Sequence, residues 1–171
     1  MRKIIFILLI FTTIFSNCLY ASNRDVWRLI GRHIVFPDKM SVLSKAGIDK
    51  TQSLSVNGLC LVSYYGHSSC TSCALQSLSV LKQLADECGV TFIPIIYPDD
   101  IYSICSTLSE LNISFPVYYD EKDAFIVLNR LNVKASNRTF LLDKSGRIVV
   151  VGDPIGQKKI EELYIKRSKE L

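Results

Sequence analysis

The chain has 171 residues, 49% of them hydrophobic, which suits one ordinary domain with a packed core and excludes a disordered chain. Its net charge is +4, two units of which come from Arg2 and Lys3, too small a surplus for a protein built to hold nucleic acid. Six cysteines are too few for a disulfide-stapled miniprotein, yet enough to make thiol chemistry the leading question.

Arg2 and Lys3 precede an uncharged run, Ile4 to Phe15, whose only polar members are Thr12 and Thr13. A bilayer-spanning helix needs about 20 apolar residues, so the run is too short to span and has the form of a secretory signal. Residues 1–21 are read as a signal peptide cleaved after Ala21. A second cut is offered by Phe15-Ser16-Asn17-Cys18, which resembles a loose bacterial lipobox and would make Cys18 the lipidated N-terminus. Export places the chain in the bacterial periplasm, or membrane-anchored on its periplasmic or outer side. In that oxidising space cysteines pair or turn over.

Residues 22–55 form a mixed lead-in, with a short strand expected at Ile34-Val35-Phe36 and closed by Pro37. Residues 56–171 form the main domain. Leu59 to Tyr65 is short, apolar and aromatic, as a buried strand is, and Gly66 ends it. Ala74, Leu78, Leu81, Ala85 and Cys88 recur at helical spacing over Thr71–Cys88, and Gly89 supplies a C-cap. Val90 to Tyr97 reads as a second strand in spite of Pro94. Asp99 or Asp100 then caps a helix with Ile101, Ile104, Cys105, Leu108 and Leu111 inward. A strand at Phe115–Tyr119 is followed by Asp120, capping a helix with Ala124, Val127, Leu128 and Leu131 inward. Thr139–Leu142 and Arg147–Val151 form a hairpin across Asp143-Lys144-Ser145-Gly146. Asp153-Pro154 opens a last helix with Ile160, Leu163, Tyr164 and Leu171 inward. Alternating strands and helices predict an α/β sandwich: a mixed, mostly parallel sheet with helices on both faces, a terminal antiparallel hairpin and a C-terminal helix.

The chemistry concentrates between the first strand of the main domain and its helix, in Gly66-His67-Ser68-Ser69-Cys70-Thr71-Ser72-Cys73. A cysteine at a helix N-terminus meets unpaired N–H groups and the positive end of the helix dipole, which favour its thiolate. Cys73 lies one turn further on the same side, so Cys70 reads as an exposed nucleophile and Cys73 as a buried resolving thiol. A structural zinc site would need two more ligands, and there is no second C-x-x-C and only His33 and His67. Cys60, Cys88 and Cys105 sit at apolar positions and read as core, with a Cys88–Cys105 bridge as the alternative.

Strand, C-x-x-C and helix in this order resemble the thioredoxin fold. The segment Val90 to Tyr119 and the stretch Thr139-Phe140-Leu141-Leu142-Asp143-Lys144-Ser145-Gly146-Arg147-Ile148-Val149 are similar to the exported TlpA-like redoxin branch. The lead-in around Trp27 and Ile34-Val35-Phe36-Pro37 resembles small redoxin lipoproteins of Bacteroidetes-type bacteria. The resemblance implies that Cys70 attacks, that Cys73 resolves, and that their disulfide is the redox group, with no cofactor and no metal. It also marks departures. Asn137 stands where the family has a cis-proline, and Tyr64 where thioredoxins have a buried Asp. Ser69 replaces a frequent Trp, and Thr71-Ser72 replaces Gly-Pro or Pro-Pro. His67 is placed to support the Cys70 thiolate or simply to be solvated.

The expected function is exported thiol–disulfide exchange on protein thiols and disulfides, fed by a membrane-borne electron donor, with Cys18 as a lipid anchor. Two alternatives stand beside it: a non-catalytic binding module on the same scaffold, and metal carriage through Cys70, Cys73 and His67. A peroxidase is set aside, because Ser63 and His67 occupy the Pro and Thr positions of the peroxiredoxin pattern Pro-x-x-x-Thr-x-x-Cys.

Overall fold

The structure, a computed structural model, describes residues 26–44, 46–52, 54, 56, 58–66, 71–97, 100–131 and 138–171. In chain order come β1 (Met40–Ser44), β2 (Gly47–Gln52), β3 (Cys60–Tyr65), α1 (Thr71–Cys88), β4 (Thr91–Ile96) and α2 (Ile101–Glu110). Then follow β5 (Val117–Tyr119), α3 (Ala124–Asn129), β6 (Thr139–Leu142), β7 (Ile148–Val151) and α4 (Lys158–Lys169). The strands form one seven-stranded sheet in the order β2-β1-β5-β4-β3-β6-β7.

Parallel pairing is confined to the centre, β3 with β4 and β4 with β5, and every other pair is antiparallel. The sheet is thus less parallel than expected, because the lead-in contributes the β1–β2 hairpin. Pro94, which has no N–H to give, is accommodated because β4 pairs with β5 only from Ile95 onward. Alternation along β3 sends Cys60, Val62 and Tyr64 to one face and Leu61 and Tyr65 to the other. α1, α2 and α4 cover the second face, with α1 packed between the other two. The first face is covered by α3 and by residues 26–37, where Leu29, Ile34 and Phe125 join the core of Cys60, Val62, Tyr64 and Phe140.

Several local expectations are corrected. The strand at Ile34-Val35-Phe36 does not form, and only His33 bridges to Arg147. The side chain of Asn129 takes a strand partner's place. It accepts from the Val35 N–H at 2.8 Å and donates to the Val35 carbonyl at 2.7 Å. In α3 the inward residues are Phe125 and Asn129, whereas Val127 and Leu128 are exposed. The phase is set by the buried Asp120 carboxylate, which accepts from the N–H groups of Ala124 and Phe125, each at 2.8 Å. Left-handed residues at Asp123 and Arg130 then hold the helix to six residues. α4 starts at Lys158, because Asp153 is spent on a turn in which it accepts from the Ile155 N–H. Leu111, Leu163 and Leu171, expected inward, are exposed. Tyr164 is fully buried and its hydroxyl shares its proton between the carbonyls of Thr139 (2.8 Å) and Gly152 (2.9 Å). The β6–β7 hairpin forms as expected. Asp143 Oδ1 accepts from Ser145 and Arg147 N–H groups, and Gly146 adopts φ 78°.

Gly66 is required by its neighbour. A Cβ there would lie 2.8 Å from Tyr64 Cε1, inside van der Waals contact with a ring that is itself fully packed. Gly66→Ala is expected to cost about 1–3 kcal/mol, read as a lower denaturation midpoint in urea at unchanged slope.

Candidate active site

The parallel strands β3, β4 and β5 all end on one side of the sheet, at Tyr65, Ile96 and Tyr119, and β6 starts there. α1 starts there too. It begins at Thr71, within the expected Cys70-Thr71-Ser72-Cys73, and runs for 18 residues with no acidic side chain in its first turn. An uncompensated helix N-terminus of this length favours a thiolate placed against it. The turn is tied to the sheet by a hydrogen-bond chain. Ser77 Oγ donates to the Ala74 carbonyl at 2.7 Å, so the Tyr65 hydroxyl, 2.6 Å away, is the donor to Ser77 Oγ.

Of the residues singled out from the sequence, Cys70, His67, Ser69, Asn137 and Cys18 lie outside the described residues. Thr71, Ser72 and Cys73 form the first turn of α1. Cys73 is exposed, and this corrects the expectation of a buried resolving thiol. The buried arc of α1 runs through Ala74, Leu75, Leu78, Leu81 and Ala85, and position 73 falls just outside it. Tyr64 is buried at 1% exposure, its ring stacked on Phe125 with centroids 5.4 Å apart. Its hydroxyl has no hydrogen-bond partner among the described residues. A phenol in this state cannot stand in for a carboxylate near neutral pH.

One carboxylate near this strand end escaped the sequence reading. Asp123, in left-handed conformation at φ 54°, has a buried Oδ1 without a hydrogen-bond partner among the described residues and lies within the field of Arg138. Burial raises its pKa, and the Arg138 charge partly offsets the rise. Arg138 also accepts, through its carbonyl, from the Tyr64 N–H at 2.9 Å, so the chain immediately after Asn137 runs beside the end of β3. Fifteen positions separate Asp123 from Arg138, and no local pattern announces the pair.

The other thiols belong to the scaffold. Burial pushes the Cys60 thiol up to about 12, with the Asp143 charge adding to it. Cys88 is half-buried and raised by burial, against Ser168 of α4, while Cys105 is raised by burial beside Gly47 of β2. Cys88 and Cys105 join separate core clusters and are not bridged. A groove of about 420 Å³ lies between β1 and the end of α2, lined by Leu43, Leu108, Ile113 and Phe115, at the opposite end of the sheet from Cys73. Among the described residues no three His, Cys, Asp or Glu side chains gather into a metal site, and no helix is long and apolar enough to cross a membrane.

No protein-family model and no curated protein matches the chain in sequence. Solved structures do match it in shape. A protein assigned as the thiol:disulfide interchange protein DsbE of Chlorobium tepidum superposes with a TM-score of 0.57 at 14% identity, over 81% of this chain and 96% of that one. A cysteine-to-serine variant of PrxQ from Xylella fastidiosa gives 0.57 at 16% identity, over 81% and 96%. The exposed lipoprotein thioredoxin Etrx1 of Streptococcus pneumoniae gives 0.54 at 17% identity, over 78% and 99%. With its mixed sheet, flanking helices and C-terminal helix, the chain has a thioredoxin-like fold.

Proposed function

We propose that this thioredoxin-like chain is an exported thiol–disulfide oxidoreductase whose redox group is the Cys70–Cys73 pair. The observation that carries the reading is the place of the C-x-x-C: its second cysteine stands exposed in the first turn of α1, at the sheet end where β3, β4 and β5 finish. The Cys70 thiolate attacks one sulfur of a partner's disulfide, expelling the other as a thiolate that takes a proton from water. The Cys73 thiol, losing its proton to water, then attacks the Cys70 sulfur of this mixed disulfide. It displaces the partner sulfur bound there as a thiolate that takes a proton from water, and closes the Cys70–Cys73 disulfide. Two electrons pass to the partner, and a membrane-borne donor of thiols restores the pair. Exposure of Cys73 lets solvent receive its proton, which removes the need for the buried acid that Tyr64 replaces. The signal-like N-terminus, with Cys18 as its lipid-accepting residue, and the likeness to Etrx1, which is named as an exposed lipoprotein, support export.

The second reading is a non-catalytic binding module, favoured by Tyr64 in place of the acid and Asn137 in place of the proline. Metal carriage through Cys70, Cys73 and His67 is the third. The pH dependence of alkylation separates them. The reacting species is the thiolate, so a helix-stabilised Cys70 keeps reacting as pH falls below the ordinary thiol value of about 8.5. The Cys70 rate in the reduced protein is expected to be half-maximal below that value, with Cys60 silent to pH 10 or about that, since burial holds its thiol protonated. A Cys70 midpoint at or above 8.5, or thiols that react only after a chelator is added, would favour the module or the metal carrier.

A further inference from the structure

The face of the sheet opposite α1 ends in apolar side chains left exposed among the described residues. Residues 26–37 and α3 pack side by side there: the Arg32 guanidinium donates to the Asn129 carbonyl at 2.6 Å, Val35 pairs with the Asn129 amide, and Phe36 meets Phe125 at 5.8 Å. Their inner residues, Val26, Leu29, Phe125 and Leu131, enter the core. Their outer residues are Trp27 at 75% exposure, Val127 at 69%, and Ile30, Val35 and Leu128. Scattered exposed apolar residues are ordinary, but two adjoining segments that share an apolar outer surface are not. Within residues 26–37 and 124–130 the Arg and Lys side chains are Arg28, Arg32 and Arg130, and the carboxylates Asp25, Asp38, Glu121 and Asp123 border the two segments.

We propose that this face seats the domain on an anionic bilayer surface. The occupant follows from what is attached to it. Cys18, read as the lipid-accepting residue, precedes Val26, and the seven residues between them reach at most about 25 Å. A lipid on Cys18 holds Trp27 within reach of the headgroups, where an indole ring is favoured, and arginines beside it meet anionic lipid. The inference rests on the N-terminal tether and stands apart from the redox reading.

Trp27 is the chain's sole tryptophan, so its fluorescence reports this face alone. The chain lipidated at Cys18, purified from the membranes of a bacterial host, is mixed with vesicles of phosphatidylcholine and phosphatidylglycerol carrying brominated lipid, and co-sedimentation is measured in parallel. Emission is expected to move to shorter wavelength and to be quenched. In the Val127→Ser, Leu128→Ser double variant the quenching is expected to weaken roughly tenfold, although the tether still carries the chain to the pellet. Both positions are exposed, so the core is untouched, and an unchanged melting curve shows it. Co-sedimentation with Trp27 still in water, quenching indifferent to the double variant, or no co-sedimentation at all overturns the proposal. So does a lipid-free emission shift that grows with protein concentration alongside a doubled mass, which would make the face a self-association surface. The Cys70–Cys73 couple, measured on the same samples, reports on the proposed function whichever way Trp27 behaves.

Discussion

Cys73→Ser is expected to arrest the chemistry after its first half. The Cys70 thiolate still attacks a partner's disulfide, but nothing displaces the partner sulfur now bound to Cys70, so a one-to-one mixed disulfide accumulates and turnover stops. Cys70→Ser is expected to give neither turnover nor adduct. Both effects fall on chemistry alone for Cys73, since that side chain is exposed and its replacement changes stability within about 0.5 kcal/mol. Non-reducing mass spectrometry after exposure to a model protein disulfide reads the adduct directly. If Cys73→Ser turned over as fast as the natural chain, Cys73 would have no resolving role and the proposed mechanism would be wrong.

The largest effect on stability is expected from Phe125→Ala. Phe125 is fully buried, and its ring joins three parts of the chain: its own helix α3, Tyr64 on β3 at 5.4 Å, and Phe36 of the N-terminal segment at 5.8 Å. Removing a buried Phe costs about 3–5 kcal/mol in lost transfer energy and residual cavity, a large share of the roughly 5–15 kcal/mol that holds a domain together. The expected signature is a much lower midpoint in guanidinium chloride, with the Cys70–Cys73 couple still present in the folded fraction. A loss under about 1 kcal/mol would mean that α3 and the N-terminal segment do not pack on the sheet as described.

The parts of the molecule legible from sequence are those where local chemistry and burial agree. β3 is apolar and aromatic along its length because it is buried on both faces, and α1 carries a clean apolar stripe that Gly89 ends. Asp100 caps α2 through its own side chain, and Asp143 with Gly146 builds the last hairpin from residues within five positions. The β1–β2 hairpin was missed because Met40–Gln52 mixes Ser, Asp, Lys and Thr among its apolar residues, as an edge hairpin does. The inner face of α3 was misjudged because Ala124, Leu128 and Leu131 fit the spacing of a long helix, whereas Asp120 fixes the phase of a short one. At the site, the strand, the helix start and the position of Cys73 were legible. Its exposure was not, since periodicity fixes the centre of a buried arc better than its rim. The meeting of Asp123 with Arg138 depends on the crossing from β5 to β6, which no spacing encodes.

The central claim is that Cys70 and Cys73 form one reversible two-electron couple, and equilibrium titration of the full chain tests it most directly. The protein is poised across glutathione and dithiothreitol buffers, quenched with an alkylating agent and weighed. The account predicts a single transition in which two labels are lost together, absent from both the Cys70→Ser and the Cys73→Ser variants. A midpoint near about −270 mV would mark a reductant, and one above about −180 mV an oxidant or isomerase. Failure of Cys70 and Cys73 to pair at any poise, or a pair that survives either serine variant, would contradict it.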